Sequence, residues 1–168
     1  TNMAGAIDEE LYARSVVKGC RDAGTIAFVG DGATPYKYRI GLNAVENAGG
    51  LAIPIFKPRK DNDSIIERIK AAESAGAIAV GMDIDAVVFK TMQMKNQSVG
   101  PKGLDTLREI ISSTDLPFVL KGIMHPRDAE FAVEAGAKAI IVSNHGGRVL
   151  DQMRGTMEIL PEITKAVK

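Results

Sequence analysis

Leu116-Pro117-Phe118-Val119-Leu120-Lys121-Gly122-Ile123 and Ala139-Ile140-Ile141-Val142-Ser143-Asn144-His145-Gly146-Gly147-Arg148 are two nearly continuous apolar runs, each leading into polar residues. Alternating apolar and polar residues would mark a strand with one wet face. A continuous run marks a strand covered on both faces, as in a parallel sheet. Between the two runs, Pro126 suits a first helical turn, Asp128 and Glu130 favour its positive end, and Gly136 supplies the stop. Strand, helix and strand in that order form a βα repeat that needs a parallel sheet.

The same punctuation extends upstream. Apolar runs at 25–30, 51–56 and 78–82 join those at 117–120 and 139–142, and helix-like stretches fill the gaps. Asp22-Ala23-Gly24, Ser74-Ala75-Gly76 and Glu134-Ala135-Gly136 each close a helix and open a strand. In the stretch before Gly76, Ser64 and Glu67 have capping-box spacing, and Ile65, Ile66, Ile69 and Ala72 fall on one helical face. The strand starts are 26, 27, 39 and 22 residues apart, close to what a (β/α)8 barrel of about 250 residues uses per unit. A doubly wound sheet is the rival α/β architecture, but no Gly-x-Gly-x-x-Gly follows the first strand. The chemically unusual residues follow several different strands, as in a barrel whose site collects at the carboxy-terminal strand ends. The expectation is a TIM barrel with about six of eight βα units present. The 168 residues then form a single partial domain lacking the last two units and the start of the first strand.

Composition narrows the function classes. The chain has 21 basic and 21 acidic residues, so it lacks the basic excess of a nucleic-acid-binding protein. Cys20 stands alone, which excludes an internal disulfide, and no apolar run approaches the roughly 20 residues of a membrane helix. Two histidines and one cysteine offer no metal site by spacing. The expected setting is the cytoplasm, with no membrane and no nucleic acid as partner.

Lys121 and the His145/Arg148 pair reach the same rim, with Gly146 and Gly147 allowing backbone to approach a flat ligand. The motifs at 116–123, Asp128-Ala129, Glu134-Ala135-Gly136, 141–148, Leu150-Asp151 and Leu160-Pro161 resemble, in order and spacing, the FMN-dependent 2-hydroxy acid oxidase and dehydrogenase family, which includes glycolate and lactate oxidases. Val149 stands where that family has glutamine. The resemblance implies oxidation of an L-2-hydroxy acid to the 2-oxo acid, with hydride passing to flavin N5. It implies that His145 is the base, that Arg148 clamps the carboxylate and that Lys121 lies beside flavin N1 and O2, with Ser143, Gly147 and Ala4 among the cofactor contacts. It gives Asp83 the role of catalytic partner to the histidine. Asp85, two residues on, is the competing candidate, and a turn cap is the plainer reading of Asp83.

The chain also departs from the family. Pro54 and Phe56 occupy the places of a glutamine and an active-site tyrosine, and the region of Lys90 replaces a second arginine. The usual long insertion is shortened to a loop at 93–102, which suggests a divergent bacterial branch. Lys57 is a candidate substitute contact for the substrate anion, or else a solvated strand-end lysine. Gly30-Asp31-Gly32 could admit a ligand or shape a turn. The alternatives to the oxidase reading are an FMN-barrel isomerase and an inactive partial barrel that folds or forms a homo-oligomer while holding FMN weakly.

Overall fold

The computed structural model describes residues 8–167. Its elements alternate. After α1 (Glu9–Asp22) come β1 (Ala27–Gly30), α2 (Pro35–Asn47), β2 (Ala52–Phe56), α3 (Asn62–Ser74) and β3 (Val80–Asp83). A 3-10 turn (Ile84–Val88), α4 (Lys90–Met94) and α5 (Leu104–Ser112) then lead to β4 (Phe118–Ile123), α6 (Pro126–Glu134), β5 (Ala139–Val142) and α7 (Thr156–Ala166). All four strand pairings are parallel and the order is β1-β2-β3-β4-β5. A doubly wound sheet reverses its strand order at a switch point, whereas an unbroken sequential order is that of a barrel wall. Right-handed crossovers that advance in one direction place every helix on the same side of the sheet.

The three glycine junctions act as the sequence implies. Gly24, Gly76 and Gly136 have φ of 68°, 78° and 96°, a left-handed turn that L side chains resist. In each, the next residue's N–H reaches five residues back, from Thr25 to Cys20, Ala77 to Ala72 and Ala137 to Ala132, closing the helix end. The expected start of α3 is corrected. Asp61, not Ser64, is its cap, accepting from the Asp63 N–H, while Ser64 accepts from the Arg68 guanidinium within the helix. Ile65, Ile69 and Ala72 form the buried stripe, and Ile66 is only half-buried.

The main core joins Phe56, Val80, Met82, Phe118, Leu120 and Ile123 of the sheet to Ile65, Ile69, Leu107, Ile110, Ile159 and Ile163 of the helices. A smaller cluster of Val17, Ala27, Val45 and Ala52 seats α1 and α2 against β1 and β2. The central strand β3 is buried throughout. The outer strands are more open, with Phe28 of β1 48% exposed and Ala139 exposed at the start of β5. Among the described residues each outer strand pairs on one side only.

Candidate active site

Each of the five strands delivers a titratable residue at or near its carboxy-terminal end. Asp31 follows β1, Lys57 follows β2, Asp83 ends β3, Lys121 lies within β4, and His145 follows β5. Asp31, Lys57, Arg59 and Asp83 are the buried polar or charged residues among those described. Lone buried charges are costly, so their pairing defines the site.

Strand register makes the first pairing. Phe56 is level with Met82, and Asp83 with Lys121, so one further step along the chain brings Lys57 level with Asp83. Neighbouring strands are about 4.8 Å apart, and three residues at one level become one row. Lys57 Nζ donates to Asp83 Oδ2 at 2.6 Å and Lys121 Nζ to Asp83 Oδ1 at 2.7 Å, so each carboxylate oxygen holds one ammonium group. Burial pushes the Asp83 carboxyl up, but the flanking ammonium groups of Lys57 and Lys121 outweigh it and hold the group below the usual carboxylate value. Lys57 is buried at the strand end, with its ammonium committed to Asp83. Lys121 keeps 22% of its side chain exposed at the rim.

The histidine's partner is a correction to the sequence reading. His145 Nδ1 lies 3.0 Å from both carboxylate oxygens of Asp85, not against Asp83. The chain leaves β3 as a 3-10 turn rather than continuing extended, so Asp85 does not stay in the Asp83 row. Gly122 makes room for it. A Cβ at this residue would lie 2.5 Å from Asp85 Cγ, and its φ of 100° accompanies the register shift between Lys121 and Ile123. Lys121 is therefore inside β4 beside that shift, because the strand continues through Ile123, past the apolar run at 117–120.

Arg148 is exposed, and its Nε donates to the His145 carbonyl at 3.1 Å. Ser143 Oγ accepts from the His145 N–H at 3.1 Å, and Asn144 Oδ1 accepts from the Gly146 and Gly147 N–H groups, so the loop is tied through its own side chains. His145 itself has φ 57°. Ala4 lies outside the described residues. Lys90 is exposed at the start of α4.

The Asp31 alternatives are settled by its contacts. Asp31 Oδ1 accepts from the Gly32 N–H at 2.7 Å, and both its oxygens accept from Arg59 Nη2, at 3.1 and 3.0 Å. It shapes the turn and pairs with arginine. Arg59 also reaches Gln97 Oε1 at 2.6 Å, while Lys60 N–H donates to the Ser98 carbonyl and Gly100 N–H to that of Pro58. The short loop beyond α4 is thus strapped to the end of β2. Arg59 was not among the sequence candidates; a charged residue just past a buried strand was its only signal.

Asp83, Asp85 and His145 place one ligating atom each within 4.8 Å of one another. Their atoms are already engaged by Lys57, Lys121 and each other, which argues against a cation there. Lys57 and Lys121 flank Asp83, Arg59 pairs with Asp31, Asp85 holds His145, and Arg148 has no carboxylate partner among the described residues, so these strand ends carry four cations and three carboxylates. The arrangement suits an anionic ligand beside a held imidazole.

Comparison with known proteins agrees with this chemistry. The sequence profile described as FMN-dependent dehydrogenase matches residues 92–168. A 2-hydroxyacid oxidase of Dictyostelium discoideum is 34% identical over 155 residues, covering 73% of this chain and 39% of that protein. An L-lactate oxidase of Lysinibacillus sphaericus is 53% identical over 62 residues, or 37% of this chain and 16% of that protein. A crystal structure of mandelate oxidase with (S)-2-phenylpropionate superposes with a TM-score of 0.72 at 30% identity, covering 92% of this chain and 49% of that one. The chain therefore spans about two fifths of the length of the first of these relatives and half of the solved neighbour. With its sequential parallel sheet as part of a (β/α)8 barrel, the chain belongs to the FMN-dependent 2-hydroxy acid oxidase and dehydrogenase family.

Proposed function

We propose that this chain carries the catalytic rim of an FMN-dependent oxidoreductase that oxidises a small L-2-hydroxy acid, of the lactate or glycolate kind, to the 2-oxo acid. The observation that carries this reading is the His145–Asp85 pair. With Nδ1 held by the carboxylate, Nε2 is the nitrogen left to take the substrate hydroxyl proton, and Asp85 stabilises the imidazolium that results. Arg148 offers a planar fork for the substrate carboxylate.

The residues present fit FMN. The rim has a cationic excess, Lys121 is fixed yet partly exposed, and a Cβ at Gly146 or Gly147 would meet nothing within 4 Å, so backbone there is open to a flat ring. When bound, FMN supplies a ring that accepts the Cα hydrogen with two electrons. Lys121, Ser143 and Gly147 would hold it, together with Ala4. Asp83 anchors Lys121, and Lys57 aids the substrate anion through its charge rather than by direct contact, since its ammonium is bound to Asp83. His145 would take the proton that the substrate hydroxyl loses, and the two electrons would need bound FMN as their acceptor for the oxidation to balance.

The same reading places the protein in a bacterial cytoplasm as a homo-oligomer. Bacterial lactate oxidases among its relatives support the bacterial source, and exposed Met94, Phe131, Val133 and Leu150 support self-association. Among the described residues no helix is long and apolar enough to cross a membrane. The test is anaerobic spectroscopy of the chain in excess FMN. L-lactate or glycolate should bleach the flavin, and His145→Asn should slow bleaching by about 10²- to 10⁴-fold. Bound flavin that none of these acids reduces would overturn the reading.

A further inference from the structure

Phe89 lies between the 3-10 turn and α4, in extended conformation with φ −65° and ψ 116°. Its backbone is pinned on both sides: its N–H donates to the Ala86 carbonyl, and its own carbonyl accepts from Met92 and Gln93. Three functional side chains converge on its ring. Lys57 Nζ is 5.0 Å and Arg148 Cζ 5.6 Å from the ring centroid, and the His145 ring packs on it edge-on, with centroids 4.4 Å apart and planes 70° apart.

We propose that Phe89 is a positioning residue whose ring holds Arg148 and Lys57 in fixed relation to His145. Lys57 has Asp83 as counter-charge and His145 has Asp85, but no carboxylate among the described residues pairs with Arg148. Its fork is oriented by one carbonyl of its own loop and by the aromatic face. A ring within about 6 Å attracts a cation through its quadrupole, and a leucine of similar bulk cannot. The packing stands on geometry alone; its consequence for carboxylate binding rests on the function proposed above.

The test compares the chain with its Phe89→Leu and Phe89→Tyr variants by NMR, then titrates each with oxalate as carboxylate probe. In the parent chain, ring currents should displace Arg148 and Lys57 methylene protons upfield. Phe89→Leu should speed hydrogen exchange at Arg148 Nε–H and weaken oxalate about two- to fivefold. Phe89→Tyr, which keeps the ring, should match the parent in both. In an Arg148→Met background, Phe89→Leu should have no further effect on oxalate. The inference is overturned if the parent shows no ring-current displacement, if Phe89→Leu leaves Arg148 exchange unchanged, or if Phe89→Tyr loosens it as much as leucine does. Should the parent fail to bind oxalate while Arg148 exchange responds as expected, the carboxylate role falls and the positioning role of Phe89 stands.

Discussion

At Gly122 a missing side chain determines where a reactive one lies. Asp85 occupies the space a Cβ would fill, and only there does its carboxylate reach His145 Nδ1. Gly122→Ala would combine that clash with a φ of 100°, a strain of about 1–3 kcal/mol. The variant should unfold at lower urea and lose the downfield proton signal of the Nδ1–Asp85 hydrogen bond. Unchanged stability with the signal intact would refute this use of the glycine. The sequence offered Asp83 and Asp85 as rivals for that hydrogen bond, and the choice depended on a turn that begins directly after β3. Phe89 was unreadable for a related reason: an aromatic between two short helices gives no periodic signal of what its ring will touch.

At the scale of elements, Arg59 joins segments that the sequence keeps far apart. It binds Asp31 after β1 and Gln97 beyond α4, while main-chain bonds from Lys60 and Gly100 close the strap around it. Removing one member of a buried ion pair leaves an uncompensated charge and costs about 3–5 kcal/mol. Arg59→Met should therefore lower stability by about that amount and speed amide exchange at Lys60 and Gly100, measured by denaturation and hydrogen exchange. A loss of less than about 1 kcal/mol with exchange unaltered would show the strap to be incidental. The strands and glycine stops were legible because apolar strand runs and left-handed helix ends each require particular residue types, although burial on both faces holds for β3 and not for the outer strands β1 and β5. Element boundaries were less so, as the Asp61 cap and the extension of β4 through Lys121 show.

Over the whole molecule, the sheet converts one row of charges into a pH dependence. The folded-state carboxyl of Asp83 titrates below its ordinary 3.8, so its contribution to stability is complete above that value and is lost as pH falls through the lower folded value. Urea midpoints measured from about pH 7 to about pH 2.5 should drop at the acid end, and Asp83→Asn should remove that part of the dependence. Asp83→Asn should also cost about 3–5 kcal/mol near neutrality, because Lys57 and Lys121 would face each other without a counter-charge. A variant as stable as the parent at both pH values would contradict the row. The sequence by itself determined the βα repeat, the positions of its strands, and the presence of Lys121, His145 and Arg148 at strand ends, because periodicity and turn chemistry are local properties of the chain. Only the tertiary structure decided which carboxylate meets which base. Register set the Lys57–Asp83–Lys121 row, and a 3-10 turn opposite Gly122 brought Asp85 to His145; both depend on how separate strands align, which no local pattern encodes.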